Sequence, residues 1–168
     1  HAVRLKIPLS EEGSLMRTTL LGGVLEVLSY NAKRKTDNLC LFELARVYLP
    51  AGDEDSLPQE DLHLAGGLMG LINEKAWNQL ARQADFYDGK GVLEALLAEL
   101  KVKDWSFERG EHPSLHPGRT AFLTVQGKKA GVIGEIHPEV KEAFGLNSPA
   151  ILFELDIERI WPAVESGV

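Results

Sequence analysis

Hydrophobic and polar positions divide the 168-residue chain into segments of two different periods. The stretch "LLGGVLEVLSYNAKRK" repeats at three and four residues and predicts a helix from Leu20 to Lys35, with Thr18 or Thr19 placed to cap it. Projected at 100° per residue, Val27, Leu20, Val24, Leu28, Leu21, Ala32 and Leu25 fill an arc of about 160°. That is wider than the roughly 100° stripe one supporting core requires, so an edge of the arc is expected to meet a second surface. "LCLFELARVYL", Leu39 to Leu49, alternates instead. Both of its faces, Leu39/Leu41/Ala45/Val47 and Cys40/Phe42/Leu44/Tyr48, are apolar, which predicts a strand covered on both sides.

Beyond the acidic loop "PAGDEDSLPQED", the run "LHLAGGLMGLI" reads as a second strand. "NEKAWNQLARQA" predicts a short helix around Trp77, and a clearer helix follows from Val92 to Leu100 with Asp88 as its cap. The last third is strand-rich: "DWSFERG", then "TAFLTVQGKKAGVIGEI" as a hairpin turning at Gly127 and Lys128, then "SPAILFELDI". Between them "HPEVKEAFG" is a short helix with Pro138 in its first turn and Gly145 beyond its end. This order describes one α+β domain on a mostly antiparallel sheet flanked by helices. No internal repeat or low-complexity segment interrupts it.

Charge and cysteine content narrow the function classes. A net charge of -7, from 18 Lys and Arg against 25 Asp and Glu, argues against this piece binding a polyanion by itself. Cys40 is the single cysteine and leaves no intrachain disulfide, and no run reaches the roughly 20 apolar residues of a membrane helix. A reduced, cytoplasmic protein is expected, with Cys40 buried. The opening "HAVRLKIPLSEEG" carries neither a start methionine nor a signal-peptide core. Truncation is therefore expected, with residues 1–3 as a tag remnant or a start left by it.

The densest chemistry lies in "GEHPSLHPGRTAF", where His112, His116 and Arg119 precede His137 of "IGEIHPEV". The spacing of His112 and His116 would set two zinc ligands on a helical face, but Pro113 and Pro117 exclude the helix. Proline after each histidine biases it toward extended backbone at a turn or helix start, so all three are expected to be structural. Gly89 and Gly91 lack a third glycine for a dinucleotide loop, no phosphate-binding loop occurs, and no serine sits in a nucleophile elbow. Asp85 and Asp88 suit a strand end and a helix cap better than a catalytic pair. No catalytic, cofactor-binding or metal-ligating residue is therefore assigned.

The blocks "PLSEEGSLMRTTLLGGVLEVLSYNAKRK", "LCLFELARVYLP", "LHLAGGLMG", "DFYDGKGVLEALL", "HPSLHPGRTAFLTVQGKKAGVIGEIHPEV" and "ILFELDIE" closely resemble, in one order, the bacterial phenylalanyl-tRNA synthetase beta subunit family. The resemblance points to the late part of that subunit, a class II aminoacyl-tRNA synthetase-like core that is non-catalytic. It implies that the Leu20 to Lys35 helix is the counterpart of motif 1, through which synthetase cores pair, and the excess of the apolar arc, at its edge around Leu21 and Leu25, is then the candidate subunit interface. "LCLFELARVYL", with Glu43 and Arg46, is similar to the motif 2 strand but lacks its catalytic F-R-x-E pattern. "FELDIERI" has the cadence of motif 3, with Glu154, Leu155 and Asp156 where glycines would admit ATP, and Arg159 where the motif's arginine would fall. Gly22 stands where the family's helix opening has proline. The resemblance implies an alpha-2 beta-2 assembly with the alpha subunit, acting on tRNA(Phe) with ATP and magnesium, and no membrane. The alternative class is a free-standing enzyme with an active synthetase-like or metal-dependent site.

Overall fold

The computed structural model describes residues 3, 14–52, 56–72 and 80–164. Helix α1 (Leu21–Ala32) leads into the antiparallel pair β1 (Leu39–Leu49) and β2 (Gln59–Met69). Helix α2 (Phe86–Glu99) is followed by β3 (Trp105–Arg109), β4 (Leu115–Val125) and β5 (Lys128–Ile136). The short helix α3 (Pro138–Ala143), strand β6 (Ala150–Asp156) and the single turn α4 (Ile157–Ile160) complete the described chain, with a 3-10 turn at Trp161–Ala163. The six strands form one sheet in the order β1-β2-β6-β5-β4-β3, every neighbour antiparallel. The expected α+β class holds. The short helix expected around Trp77 lies largely outside the described residues, and Leu80 to Ala84 are not helical.

Period-two alternation gives the sheet two different faces. Toward α1 point Ala65, Leu152 and Val132, which join Leu20, Leu21, Val24, Leu25 and Leu28 in one buried cluster. Toward α2 point Leu68, Ile133, Ile151, Phe153 and Leu155, packed with Leu93 and Leu97 of that helix. Both helices approach closely where glycine leaves room. A Cβ on Gly67 would lie 3.0 Å from both Leu28 and Val24, and one on Gly89 of α2 only 2.6 Å from Ile151.

Three local expectations shift. Helix α2 begins at Phe86, six residues before Val92, because Asp85 rather than Asp88 is its cap. Asp85 accepts the amides of Tyr87 and Asp88, while the Asp88 side chain returns to the amide of Asp85, a reciprocal capping box. The hairpin turns one residue earlier than read, at Gln126 (φ 50°) and Gly127 (φ 72°), because a two-residue turn matched to strand twist needs positive φ at both centres. Strand β1 is covered on one face only. Val47 is fully buried against the α1 side, but Cys40 is exposed and Phe42 is 76% exposed on the other, because β1 is the last strand of the sheet.

Candidate functional site: a buried carboxylate under the first helix

Polar residues interrupt the α1 face at alternating positions of two neighbouring strands. In β2 these are Asp61 and His63, and in β6 Glu154 and Asp156. Register sets His63 beside Asp156 and Ala65 beside Glu154, so all four side chains share the α1 face. Glu154 lies at the centre and is 8% exposed. It accepts hydrogen bonds from the Leu20 amide at 3.0 Å, from His63 Nδ1 at 2.7 Å and from the Thr19 hydroxyl. Thr19 Oγ1 in turn accepts the Leu21 amide at 3.2 Å.

Helix α1 has no side-chain cap from its own N-cap residue, Leu20. The carboxylate of β6 and the hydroxyl of Thr19 supply partners for its first amides. A negative charge there also meets the positive end of the helix dipole. Burial pushes the Glu154 carboxyl up, but the bonds from His63, Thr19 and the Leu20 amide outweigh it and hold the group below its ordinary value. With Glu154 ionised, Nδ1 of His63 carries the proton that it donates.

The surrounding groups are committed in the same way. Asp156 accepts the Arg159 amide at 3.2 Å and pairs with Arg159 Nε at 2.8 Å, capping α4. Arg159 Nη1 donates to the Lys129 carbonyl at 2.7 Å. Gln59 Nε2 contacts both oxygens of Asp61 at 2.9 and 3.0 Å. Asp61, His63 and Asp156 offer ligand atoms within 4.8 Å of one another and are the described residues best placed to converge on a cation. To do so, Asp61 and Asp156 would release Gln59 and Arg159. Each of these carboxylates has a hydrogen-bond donor, and no buried side-chain polar atom among the described residues lacks a partner.

The three proline-followed histidines share a single local design. Each Nδ1 accepts the amide two residues on: Ser114 to His112 at 3.2 Å, Gly118 to His116 at 3.1 Å and Glu139 to His137 at 3.3 Å. His137 is thereby the cap of α3. His112 and His137 line one cleft of about 340 Å³ with Glu111, Pro113, Leu115 and Pro117. Burial, with a smaller contribution from Lys129, lowers the pKa of His112. Arg119 is engaged by Glu135 at 2.6 and 2.8 Å.

In β1, Glu43 meets Arg17 at 3.1 Å, and Arg46 lies 3.8 Å from Glu60 on the opposite face. Gly22 has open space around it, so the turn there does not require glycine.

Leu21 and Leu25 require a correction. Both are 3% exposed and belong to the domain's own core, so neither offers a free interface. They continue in one row to Ser29, whose hydroxyl donates to the Phe144 carbonyl at 2.6 Å, where the end of α3 seats against α1. The exposed edge of the apolar arc is the opposite one, marked by Val27 and, beside it, Tyr30.

In the sequence Glu154 and Asp156 stand out only as obstacles to ATP and Thr19 only as a cap for α1, a role it fills by accepting the Leu21 amide; His63 and Asp61 do not stand out. The signal was present as polar residues two apart in otherwise apolar strands, Asp61/His63 and Glu154/Asp156. Their meeting depends on β2 and β6 being neighbours although far apart in sequence.

Comparison with known proteins places the chain in a family. The model of the phenylalanyl tRNA synthetase beta chain CLM domain matches residues 1–157. The phenylalanine–tRNA ligase beta subunit of Symbiobacterium thermophilum is 46% identical over 157 residues, covering 94% of this chain and 18% of that protein. Its counterpart in Geobacter metallireducens is 42% identical over 94% of this chain and 20% of its own length. That of Vibrio cholerae is 41% identical over 99% and 21%. The chain thus spans about a fifth of the length of the curated relatives it matches.

Proposed function

The chain belongs to the phenylalanyl-tRNA synthetase beta chain CLM domain family, and from that premise we propose that it is the non-catalytic, class II synthetase-like core of a beta subunit. It falls in the later half of the full chain as a single domain. In the assembled enzyme it braces the alpha subunit, which carries out the ATP- and magnesium-dependent attachment of phenylalanine to tRNA(Phe) in an alpha-2 beta-2 complex in the cytoplasm.

The observation that carries this reading is the environment of Glu154. In the motif 3 cadence the positions of Glu154 and Asp156 are those where small residues would let a nucleotide approach. Here they hold carboxylates, one buried beneath the start of α1 and the other turned onto Arg159. A triphosphate brought against them would meet like charge in a poorly screened environment. The residues do not suit ATP. Arg159, at the position of the motif's arginine, is occupied by Asp156 and the Lys129 carbonyl.

The outward side of α1 is the pairing surface under this reading. Gly23, Glu26, Val27 and Tyr30 are exposed at spacings of three and four residues, so they form one stripe.

The test is reconstitution with the alpha subunit. The chain alone is expected to give no phenylalanine-dependent exchange of pyrophosphate into ATP, whereas the alpha subunit with the full beta chain gives exchange. Val27→Glu with Tyr30→Lys should weaken that association and leave the fold intact. Exchange by this chain alone would instead favour a free-standing enzyme.

A further inference from the structure

Strand β1 is the place where sequence pattern and coverage disagree. Leu39, Leu41, Ala45 and Val47 pack with the α1 core. On the reverse face Cys40 is exposed, Phe42 is 76% exposed and Leu44 is 56% exposed. Register sets Phe42 beside Gly66 and Phe153, and Leu44 beside Leu64 and Leu155. The exposed pair therefore extends rows whose inner members, Phe153 and Leu155, are core residues of the α2 side. Helix α2 lies across β5 and β6, and α4 against β2 and β5, so the apolar surface continues past its cover.

We propose that in the full-length beta chain this face of β1 is covered by an apolar segment from another part of the same polypeptide. The inference rests on the beta-chain reading for the existence of that longer chain. Two observations select the occupant. First, the matched relatives carry the aligned region as only 18% to 21% of their length, so most of such a chain lies elsewhere and is tethered to this domain.

Second, the patch is small. Phe42 and Leu44 with the half-buried Leu62 and Leu64 expose on the order of a few hundred Å². That is well below the roughly 800 Å² per partner of a stable contact between separate proteins. A tethered segment binds at a high effective concentration and needs less area. The exposed Arg46 and Glu60, 3.8 Å apart, give the patch a polar rim at one end.

Cys40, on the same face, serves as the reporter. The native full-length beta chain is treated with N-ethylmaleimide, and modification of the Cys40 peptide is followed by mass spectrometry against the same chain in urea. Modification is expected to be slower by about tenfold or more in the beta chain alone. Phe42→Ser with Leu44→Ser, at side chains that the domain itself leaves exposed, should restore it while the other peptides keep their native protection.

Modification at the unfolded rate in the native beta chain would overturn the proposal. So would protection that arises only when alpha subunit is added, since the occupant would then be that subunit, and so would protection unaffected by the double substitution. A gene encoding no longer chain would instead defeat the beta-chain reading itself, so the two failures are distinguishable.

Discussion

Strand β6 presents opposite chemistry to its two sides. Toward α2 it sends Ile151, Phe153 and Leu155 into a buried apolar cluster. Toward α1 it sends Leu152, then Glu154 and Asp156, which gather an amide, a hydroxyl, an imidazole and a guanidinium. Adjacent residues, pointing to opposite faces, hold two helices by different physics. The packing of β6 against α2 depends on removing area from water. The α1 side depends on a charged carboxylate whose burial is tolerable only while its partners stay in place. A surface of the second kind specifies where α1 starts.

The largest effect should come from the apolar side. Leu155→Ala removes a fully buried side chain and should cost about 2–5 kcal/mol, read from the urea midpoint at neutral pH. On the polar side Glu154→Gln keeps the shape but removes the charge that receives three donors, and should cost about 1–3 kcal/mol. An equal loss at all pH values for both variants would dissolve the distinction between the faces.

Acid separates the two variants further. Glu154 has a lowered pKa in the folded chain, so on acidification the unfolded chain takes up the proton first. Its contribution is present above the ordinary value of 4.5 and is lost as pH falls through the lower folded value. His112, lowered chiefly by burial, adds an earlier loss that begins as pH drops below 6.5. Asp88, held at about 2 chiefly by its hydrogen bond to Arg82, contributes with the same sign as Glu154. Urea titrations from pH 7 to 3 should show the Leu155→Ala variant losing stability in parallel with the parent, while Glu154→Gln lacks part of the loss below pH 4.5. The smallest effect belongs to the solvent-facing pair beside this site. Arg17→Ala should cost under about 1 kcal/mol, and its cost should shrink in high salt, because Arg17 and Glu43 are both substantially exposed.

The elements visible beforehand were those whose information is local. The strands' alternation, the helical period of α1 and the proline-fixed start of α3 need no distant partner. The 160° arc is also real, yet the sequence alone puts its free edge at Leu21 and Leu25 instead of Val27. That choice depends on which side meets the end of α3, and Ser29 bonding to Phe144 joins residues more than a hundred positions apart. The sequence puts the cap of α2 three residues late because Asp85 and Asp88 are both competent, and only the start of the helix distinguishes them. Cys40 was expected inside because β1 is apolar on both faces. Edge position, a property of the whole sheet, leaves it outside. Resemblance identified the family, whereas the carboxylate beneath α1 required the pairing of β2 with β6.

The central claim is that Glu154 and its partners occupy the ground where a nucleotide would bind. Titrating this chain with ATP and magnesium, by calorimetry and by thermal unfolding, addresses that claim most directly. The expected result is no saturable heat and no shift in Tm. A ligand held by the folded state at a hundred times its Kd would stabilise it by about 2.7 kcal/mol, which such a scan resolves. A saturable isotherm with a matching rise in Tm, abolished by Arg159→Ala, would contradict the claim and return the site to catalysis.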